Sequence, residues 1–103
     1  MMKSALMISV GHPVRAEDQE RAQQLGAEEF ARWERWKANG TIENARHYLR
    51  RDGNRQQQLG FVILEGSSAQ IDAMLQDPAF AEVEQVYART YNNFTVHRLG
   101  TLG

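Results

Sequence analysis

The chain has 103 residues, of which 42% are hydrophobic and 24% are charged, and a formal net charge of −1 at pH 7. This size and composition are typical of one globular domain, and the absence of cysteine excludes disulfides, thiolate nucleophiles and cysteine-ligated metals. Because the charges balance, no overall field would attract nucleic acid or an anionic membrane, and we expect neither as a partner.

The first predicted element is a strand over residues 5–10. The run ALMISV is apolar and partly β-branched, and GHP at 11–13 ends it. The run is too short for a secretory signal with its cleavage site and for a transmembrane span. Together with the absence of cysteine, this favours a cytoplasmic location.

A long amphipathic helix is predicted from Glu17 to about Ala38. Acidic Glu17 and Asp18 suit its N-terminus, and Asn39-Gly40 is typical of a C-terminal stop. Its apolar stripe, with residues three and four positions apart, comprises Ala22, Leu25, Gly26, Phe30, Trp33 and Trp36.

Two extended runs, at 41–51 and 59–66, surround a polar turn that contains Asp52-Gly53. They predict a hairpin formed by the second and third strands. The basic cluster from Arg46 to Arg55 falls on this hairpin and lacks the interleaved aromatic residues of a nucleic-acid platform, so it indicates a solvated hairpin.

A second helix is predicted over 68–76. Ser67 and Gln70 form a capping-box pattern at its start, with the serine as N-cap. Asp77-Pro78 then interrupts the helix and predicts a new helical turn, because Asp is favoured at the N-cap and Pro at the first helical position.

The C-terminal region allows two interpretations. Residues 82–92 fit either a continued helix to about Thr90 or an extended segment, whereas 94–99 is the fourth strand in both cases. The element order is therefore β-α-β-β-α-β. It predicts a single α+β domain over 1–103 of the ferredoxin-like class, with a four-stranded antiparallel sheet and both helices on one face.

The first and third predicted strands are apolar on both faces, so the face opposite to the helices requires a cover. A second copy of the chain is the economical candidate. Two such sheets packed face to face would form a closed dimeric α+β barrel with twofold symmetry. A monomer would instead expose an apolar sheet and be prone to aggregation. We therefore expect a homodimer.

This layout, together with GFVILEG at 60–66 and Asp77-Pro78, resembles the dimeric α+β barrel superfamily and, within it, the YCII-related proteins. The superfamily includes small monooxygenase-like and muconolactone-isomerase-like enzymes and many proteins without a known activity. The resemblance implies a cleft between the sheet and the long helix. In the YCII group a histidine early in the long helix pairs with the Asp of the DP motif and is suspected to be catalytic. Asp77 matches that Asp, whereas Glu29 stands where the histidine would be.

Glu29 is a candidate acid or base on independent grounds. It lies four residues after Leu25 and four before Trp33, on the apolar stripe. A buried carboxylate has a raised pKa unless it is paired, and a nearby Asp77 would make an acid/base pair. The alternatives are that Glu29 reaches solvent or pairs with an arginine, and that Asp77 only caps the turn that begins at Pro78.

The three histidines, His12, His47 and His97, have no spacing typical of metal ligands on one element, and we expect no metal and no cofactor. His12 ends the first strand, where loops often line a site. His47 and His97 are further catalytic candidates, because both could face the barrel interior from the second and fourth strands. The alternative is that they are ordinary surface or hydrogen-bonded residues.

The aromatic residues have two readings. They could wall a pocket for a planar organic ligand, or they could form the core. Phe30 and Trp33 are the stronger core candidates. The candidate ligand-binding residues are Trp33, Trp36, Tyr48, Arg50, Tyr91 and Phe94, with Asn92 and His47 as further polar groups.

Two functional hypotheses remain open. The first is a cofactor-independent acid/base enzyme that acts on a small organic molecule in the cleft, using Glu29, Asp77 and one of His47 or His97. The second is a non-catalytic small-ligand-binding or accessory homodimer. Phosphate-binding glycine loops, G-x-S-x-G and H-E-x-x-H are all absent from the sequence, so nucleotide-driven, serine-hydrolase and zincin chemistries are not indicated.

Overall fold

The computed structural model describes residues 3–11, 15, 17, 19–49 and 60–100. Its elements, in chain order, are β1 (Lys3–Val10), α1 (Gln19–Ala38), β2 (Asn44–Leu49), β3 (Gly60–Ser67), α2 (Ser68–Gln76), α3 (Pro78–Thr90) and β4 (Thr95–Gly100). The strands form one antiparallel sheet in the order β2-β3-β1-β4. The predicted α+β fold, with an order consistent with the ferredoxin-like class, is confirmed.

The end of α1 lies where the Asn39-Gly40 signal predicts it. Gly40 has a φ of 82°, a left-handed conformation that glycine adopts without steric cost. The Asn39 side chain then accepts hydrogen bonds from the backbone N–H and the hydroxyl of Thr41. The helix therefore stops abruptly, and the chain turns back toward the sheet edge.

The second helical region is two helices that meet at Asp77. Ser67 and Gln70 make the reciprocal bonds of the capping box at the start of α2. Asp77 ends α2 and also caps α3, with its carboxylate accepting from the Ala79 N–H at 2.9 Å. Residues 82–90 are helical, so of the two interpretations that the sequence leaves open, the continued helix is correct. A turn with Asn93 at positive φ then leads into β4.

The core lies between one face of the sheet and the three helices. Its largest fully buried side chains are Trp33, Phe80, Leu6, Ile42, Leu64, Ile71, Met74 and Val83. Trp33 is a core residue as predicted, but the expectation for Phe30 is wrong, since its side chain is 53% exposed. Phe30 lies about 100° around the helix from Glu29, which occupies the centre of the buried stripe.

None of the described helices lies on the other face of the sheet, and we call this face the open face. As the sequence predicts, β1 and β3 carry apolar side chains on both faces. The strand registers place six mainly apolar residues together on the open face: Ala5, Met7, Tyr48, Phe61, Ile63 and Leu99. Salt bridges lie at its margins, between Arg46 and Glu65 and between Lys3 and Glu43.

Replacing Ser67 with Ala should lower the free energy of unfolding by about 1 kcal/mol, because the hydroxyl that accepts from the Gln70 N–H is lost. Urea denaturation measures this difference. Ser68→Ala, one residue inside α2, is the matched control and should change stability by less than about 0.5 kcal/mol. Equal losses in the two variants would contradict the capping role.

Candidate functional site

A cleft of about 350 Å³ lies between the sheet and the helices α1 and α3, where the family resemblance implies one. We call it the sheet–helix cleft. Its walls are formed by aliphatic residues of the sheet, among them Ile8, Val10 and Val62, together with His47 and two tyrosines, one in α3 and one at its C-cap. None of the described residues that line it is acidic, lysine or arginine. The surface is that of a binding site for a mainly apolar molecule.

The position of Gly26 in α1 leaves this cleft open. A Cβ atom placed there would have no other atom within 4 Å, so the space beside the helix is empty. The sequence places Gly26 on the apolar stripe, but it does not reveal that the missing side chain opens a cavity. A glycine inside a helix lowers its stability by about 1 kcal/mol relative to alanine. A glycine at position 26 of α1 is therefore a signal that this position needs the space that a side chain would fill.

Tyr87 and Tyr91 form the wall that α3 contributes. The Tyr87 ring stacks between those of Tyr91 and Phe94, with centroid distances of 5.8 and 5.9 Å. The Tyr91 hydroxyl donates to the Ala22 carbonyl of α1 at 3.3 Å. Of the predicted ligand-binding residues, Tyr91 thus lines the cleft. Phe94 does not line the cleft but stacks on the Tyr87 ring, which does. Tyr87 is a further lining residue, recognisable one helical turn before Tyr91 once residues 82–90 are known to be helical.

The two tryptophans lie elsewhere. Their rings pack edge to face at 5.4 Å, Trp33 is 1% exposed, and Trp36 packs against the same core. Neither lines the sheet–helix cleft. The core interpretation therefore describes them better than the ligand-binding one.

Tyr48 lines the cleft at the edge of the sheet, although the strand register places its side chain on the open face. It stacks on Phe61 at 5.0 Å and is 45% exposed. The remaining candidates, Arg50 and His12, lie outside the described residues.

His47 and His97 point to opposite faces of the sheet. His47 is opposite Val62, which faces the helices, whereas His97 is opposite Met7 on the open face. The expectation that both could face the interior of a barrel is therefore wrong for His47, which lines the cleft with its ring 5.5 Å from that of Phe30. Burial lowers the pKa of His47, and Lys37 lowers it further against the opposing effect of Glu34.

Glu29 is buried, as its place on the stripe predicts. Burial raises its pKa, and the adjacent Arg32 opposes the shift. Its Oε2 atom lies 3.4 Å from Arg32 Nε, but neither atom has a hydrogen-bond partner. Glu29 does not line the sheet–helix cleft and instead lines a depression on the other side of α1.

Asp77 is exposed at the start of α3, where its carboxylate serves as the N-cap. The charges that act on the pKa of Glu29 come from Arg32, Arg35 and two glutamates, Glu28 and Glu82, and Asp77 is not among them. The geometry therefore gives no support to an acid/base pair of Glu29 and Asp77.

Among the described residues, no group of three or more acidic or histidine side chains could hold a metal ion. None of the described helices combines the length and apolar character that crossing a membrane requires. No family model matches the chain, and no curated protein is a detectable relative of it. The interpretation of the site therefore depends on its geometry.

We expect Glu29→Gln to become increasingly stable relative to the unmodified chain as the pH rises. Because burial raises the pKa of Glu29, the folded chain holds this proton more tightly than the unfolded chain does. Ionisation of Glu29 therefore destabilises the fold as the pH rises from its ordinary value of 4.5 through the raised value, and glutamine avoids this loss. Urea denaturation over a pH series measures the difference.

The control for this experiment is Glu34→Gln, which removes a partly exposed carboxylate from the same helix. A stability difference for Glu29→Gln that does not vary with pH would contradict the raised pKa.

Proposed function

We propose that the chain binds a small, uncharged, planar organic molecule in the sheet–helix cleft, and that it does so as a homodimer. The observation that carries this proposal is the cleft of about 350 Å³, walled by aliphatic and aromatic side chains and kept open at Gly26. Sites for small molecules are commonly concave and apolar, with a few polar groups that orient the ligand.

The electrostatics of the lining support an uncharged ligand. Burial raises the pKa of both Tyr87 and Tyr91, and the nearby charge of Glu29 adds to the effect, so both phenols stay neutral. The lowered pKa of His47 favours its neutral form as well. A charged ligand would lose its hydration without meeting a counter-charge, which is energetically costly. The phenols and the imidazole can still exchange hydrogen bonds with a carbonyl or hydroxyl group.

A binding role has more support than an acid/base enzyme. Of the four catalytic candidates, only His47 lines the cleft, while Glu29 lies across α1 and Asp77 caps α3. His97 lies on the open face. An enzyme that worked in this cleft would have one imidazole, the phenol of Tyr48 and two phenols with raised pKa values, and no carboxylate among its described lining residues.

The homodimer is supported by the composition of the open face. Its centre is apolar, while the salt bridges of Arg46 with Glu65 and of Lys3 with Glu43 lie at its margins. An apolar centre with a polar rim is the usual anatomy of a protein–protein interface. A second copy would cover this centre by twofold symmetry, as in the dimeric α+β barrels and the YCII-related proteins that the chain resembles.

The ligand proposal predicts that Gly26→Leu abolishes binding. The added side chain would fill the empty space beside α1, and leucine is a better helix former than glycine by about 1 kcal/mol, so the fold should persist. With 2-naphthol as the probe, we expect an affinity loss of at least about tenfold, measured by titration calorimetry.

Ala27→Leu is the matched control, because it adds the same side chain at an exposed neighbouring position that does not line the cleft. Equal affinity for 2-naphthol in the unmodified chain and in Gly26→Leu would exclude the cleft as the binding site.

The dimer proposal predicts that Ile63→Lys yields a monomer. Ile63 is a half-buried residue in the middle of the open face, between Met7 and Arg46 on the neighbouring strands. A buried unpaired ammonium group at this point would cost several kcal/mol in a face-to-face dimer. Light scattering over a dilution series measures the mass.

Leu49→Lys is the control, since Leu49 is 65% exposed and lies on the helix side of β2. The unmodified chain and this control should both be dimeric. A monomeric mass for the unmodified chain at every concentration would refute the dimer.

A further inference from the structure

A second depression lies on the opposite flank of α1. It occupies about 360 Å³ between α1 and α3 and shares no lining residue with the sheet–helix cleft. We call it the α1–α3 groove. Its charged lining residues are Arg21, Glu28, Glu29, Arg32 and Glu82. The groove therefore has three carboxylates and two guanidinium groups, in contrast to the uncharged cleft.

Glu29 is the buried member of this set. Its side chain is 5% exposed, and its Oε2 atom has no hydrogen-bond partner. The Arg32 Nε and Trp33 Nε1 atoms are likewise without a partner, whereas the Thr90 hydroxyl donates to the Val86 carbonyl at 2.7 Å and the Ser67 hydroxyl accepts from Gln70. A buried acceptor without a donor is destabilising, and native proteins rarely retain one without a reason.

Arg32 covers this carboxylate without completing its hydrogen bonds. Its Nε atom is 3.4 Å from Glu29 Oε2 and has no hydrogen-bond partner, and its Nη1 atom donates to the Ala79 carbonyl at 3.4 Å. Both distances are beyond the usual range for N–H···O bonds. The Arg32 side chain is 22% exposed, so moving it into solvent would cost the contacts of its buried part. A cation replaces it only where its N–H groups reach Oε2 with better hydrogen-bond geometry than Arg32 has.

We propose that the α1–α3 groove binds a small organic cation, whose ammonium or guanidinium N–H groups donate to the Glu29 carboxylate in place of Arg32. Glu28 of α1 and Glu82 of α3 line the same groove and add negative charge. An anionic ligand would leave Oε2 without a donor, and the three carboxylates of the groove outnumber its two guanidinium groups. Charge-assisted bonds of this type are roughly twice as strong as neutral ones.

The proton equilibrium of Glu29 supports this assignment. Burial and the carboxylates of Glu28 and Glu82 raise its pKa, while Arg32 and Arg35 oppose them. A bound cation would favour the ionised form, so the cation and a proton compete for Glu29. The affinity for the cation should therefore fall as the pH is lowered through the raised pKa.

The test uses agmatine, a flexible molecule with one ammonium and one guanidinium group, and titration calorimetry. We expect the unmodified chain to bind it and Glu29→Gln to bind it at least about tenfold more weakly. Glu34→Gln removes the same charge from α1 outside the groove and should leave the affinity unchanged. This comparison separates a specific contact with Glu29 from general attraction by an acidic surface.

A second variant keeps the test decisive if Glu29→Gln perturbs the fold. Arg32→Ala removes the competing guanidinium and should bind agmatine at least as tightly as the unmodified chain. Gly26→Leu should leave agmatine binding unchanged, because Gly26 lines only the sheet–helix cleft. This keeps the proposal independent of the ligand proposed for that cleft.

Four results would overturn the proposal. The first three are no binding of agmatine by the unmodified chain up to about 10 mM, equal affinity in Glu29→Gln, and weaker binding in Arg32→Ala. Loss of agmatine binding in Gly26→Leu would also overturn it, because it would place the cation in the cleft.

Discussion

The packing of α1 against the sheet is the constraint on which both candidate sites depend. The side chains along its inner side differ in size, with Trp33 and Trp36 toward the C-terminal end and Ala22, Leu25 and Gly26 earlier. The indole rings fill the space above the sheet, because protein interiors are close-packed. The smaller residues leave space unfilled beside Gly26, and the sheet–helix cleft lies there. The tryptophans therefore do not line the cleft, but their packing against the core holds α1 in position beside it.

Glu29 interrupts the buried stripe near its centre and gives the two flanks of α1 different electrostatic character. On one flank it lines a groove with two arginines and two other glutamates. On the other flank its charge acts on Tyr87 and Tyr91, and together with burial it raises the pKa values of both phenols. Glu29 therefore influences the pKa values of two phenols in a cleft that it does not line. The contrast between the two sites comes from their linings, since the groove has five charged residues and the described lining of the cleft has none.

The sequence predicts best the features that depend on local signals. The bounds of α2 follow from the capping box at Ser67 and the break at Asp77-Pro78, and those bounds are confirmed. The same break marks where α3 begins, but no glycine follows Thr90 to mark where the helix ends. The C-cap residue is Tyr91, which has a β-region backbone and is not a glycine. The sequence of 82–92 therefore fits a helix and an extended segment equally well.

Features that depend on the packing of one element against another were harder to predict. Burial of Glu29 follows from its helical position, but the sequence leaves both an arginine and Asp77 open as its partner. The structure places Arg32 beside Glu29 and Asp77 at the N-cap of α3. The direction of His47 depends on strand register, since a shift of one residue moves a side chain to the other face. Phe30 shows that an apolar residue at helical spacing can lie outside the buried stripe.

The open face and the cleft share two strands, and this links the proposed dimer to the proposed ligand. The stacked rings of Tyr48 and Phe61 lie on the open face of β2 and β3, while His47 and Val62 line the cleft from the other side of the same strands. Tyr48 and Phe61 are also among the lining residues of the cleft, so a second copy packed on their rings would contact its border. If both events order the same pair of strands, each must favour the other by the same free energy. The Ile63 and Gly26 positions, on opposite sides of the sheet, separate the two contributions.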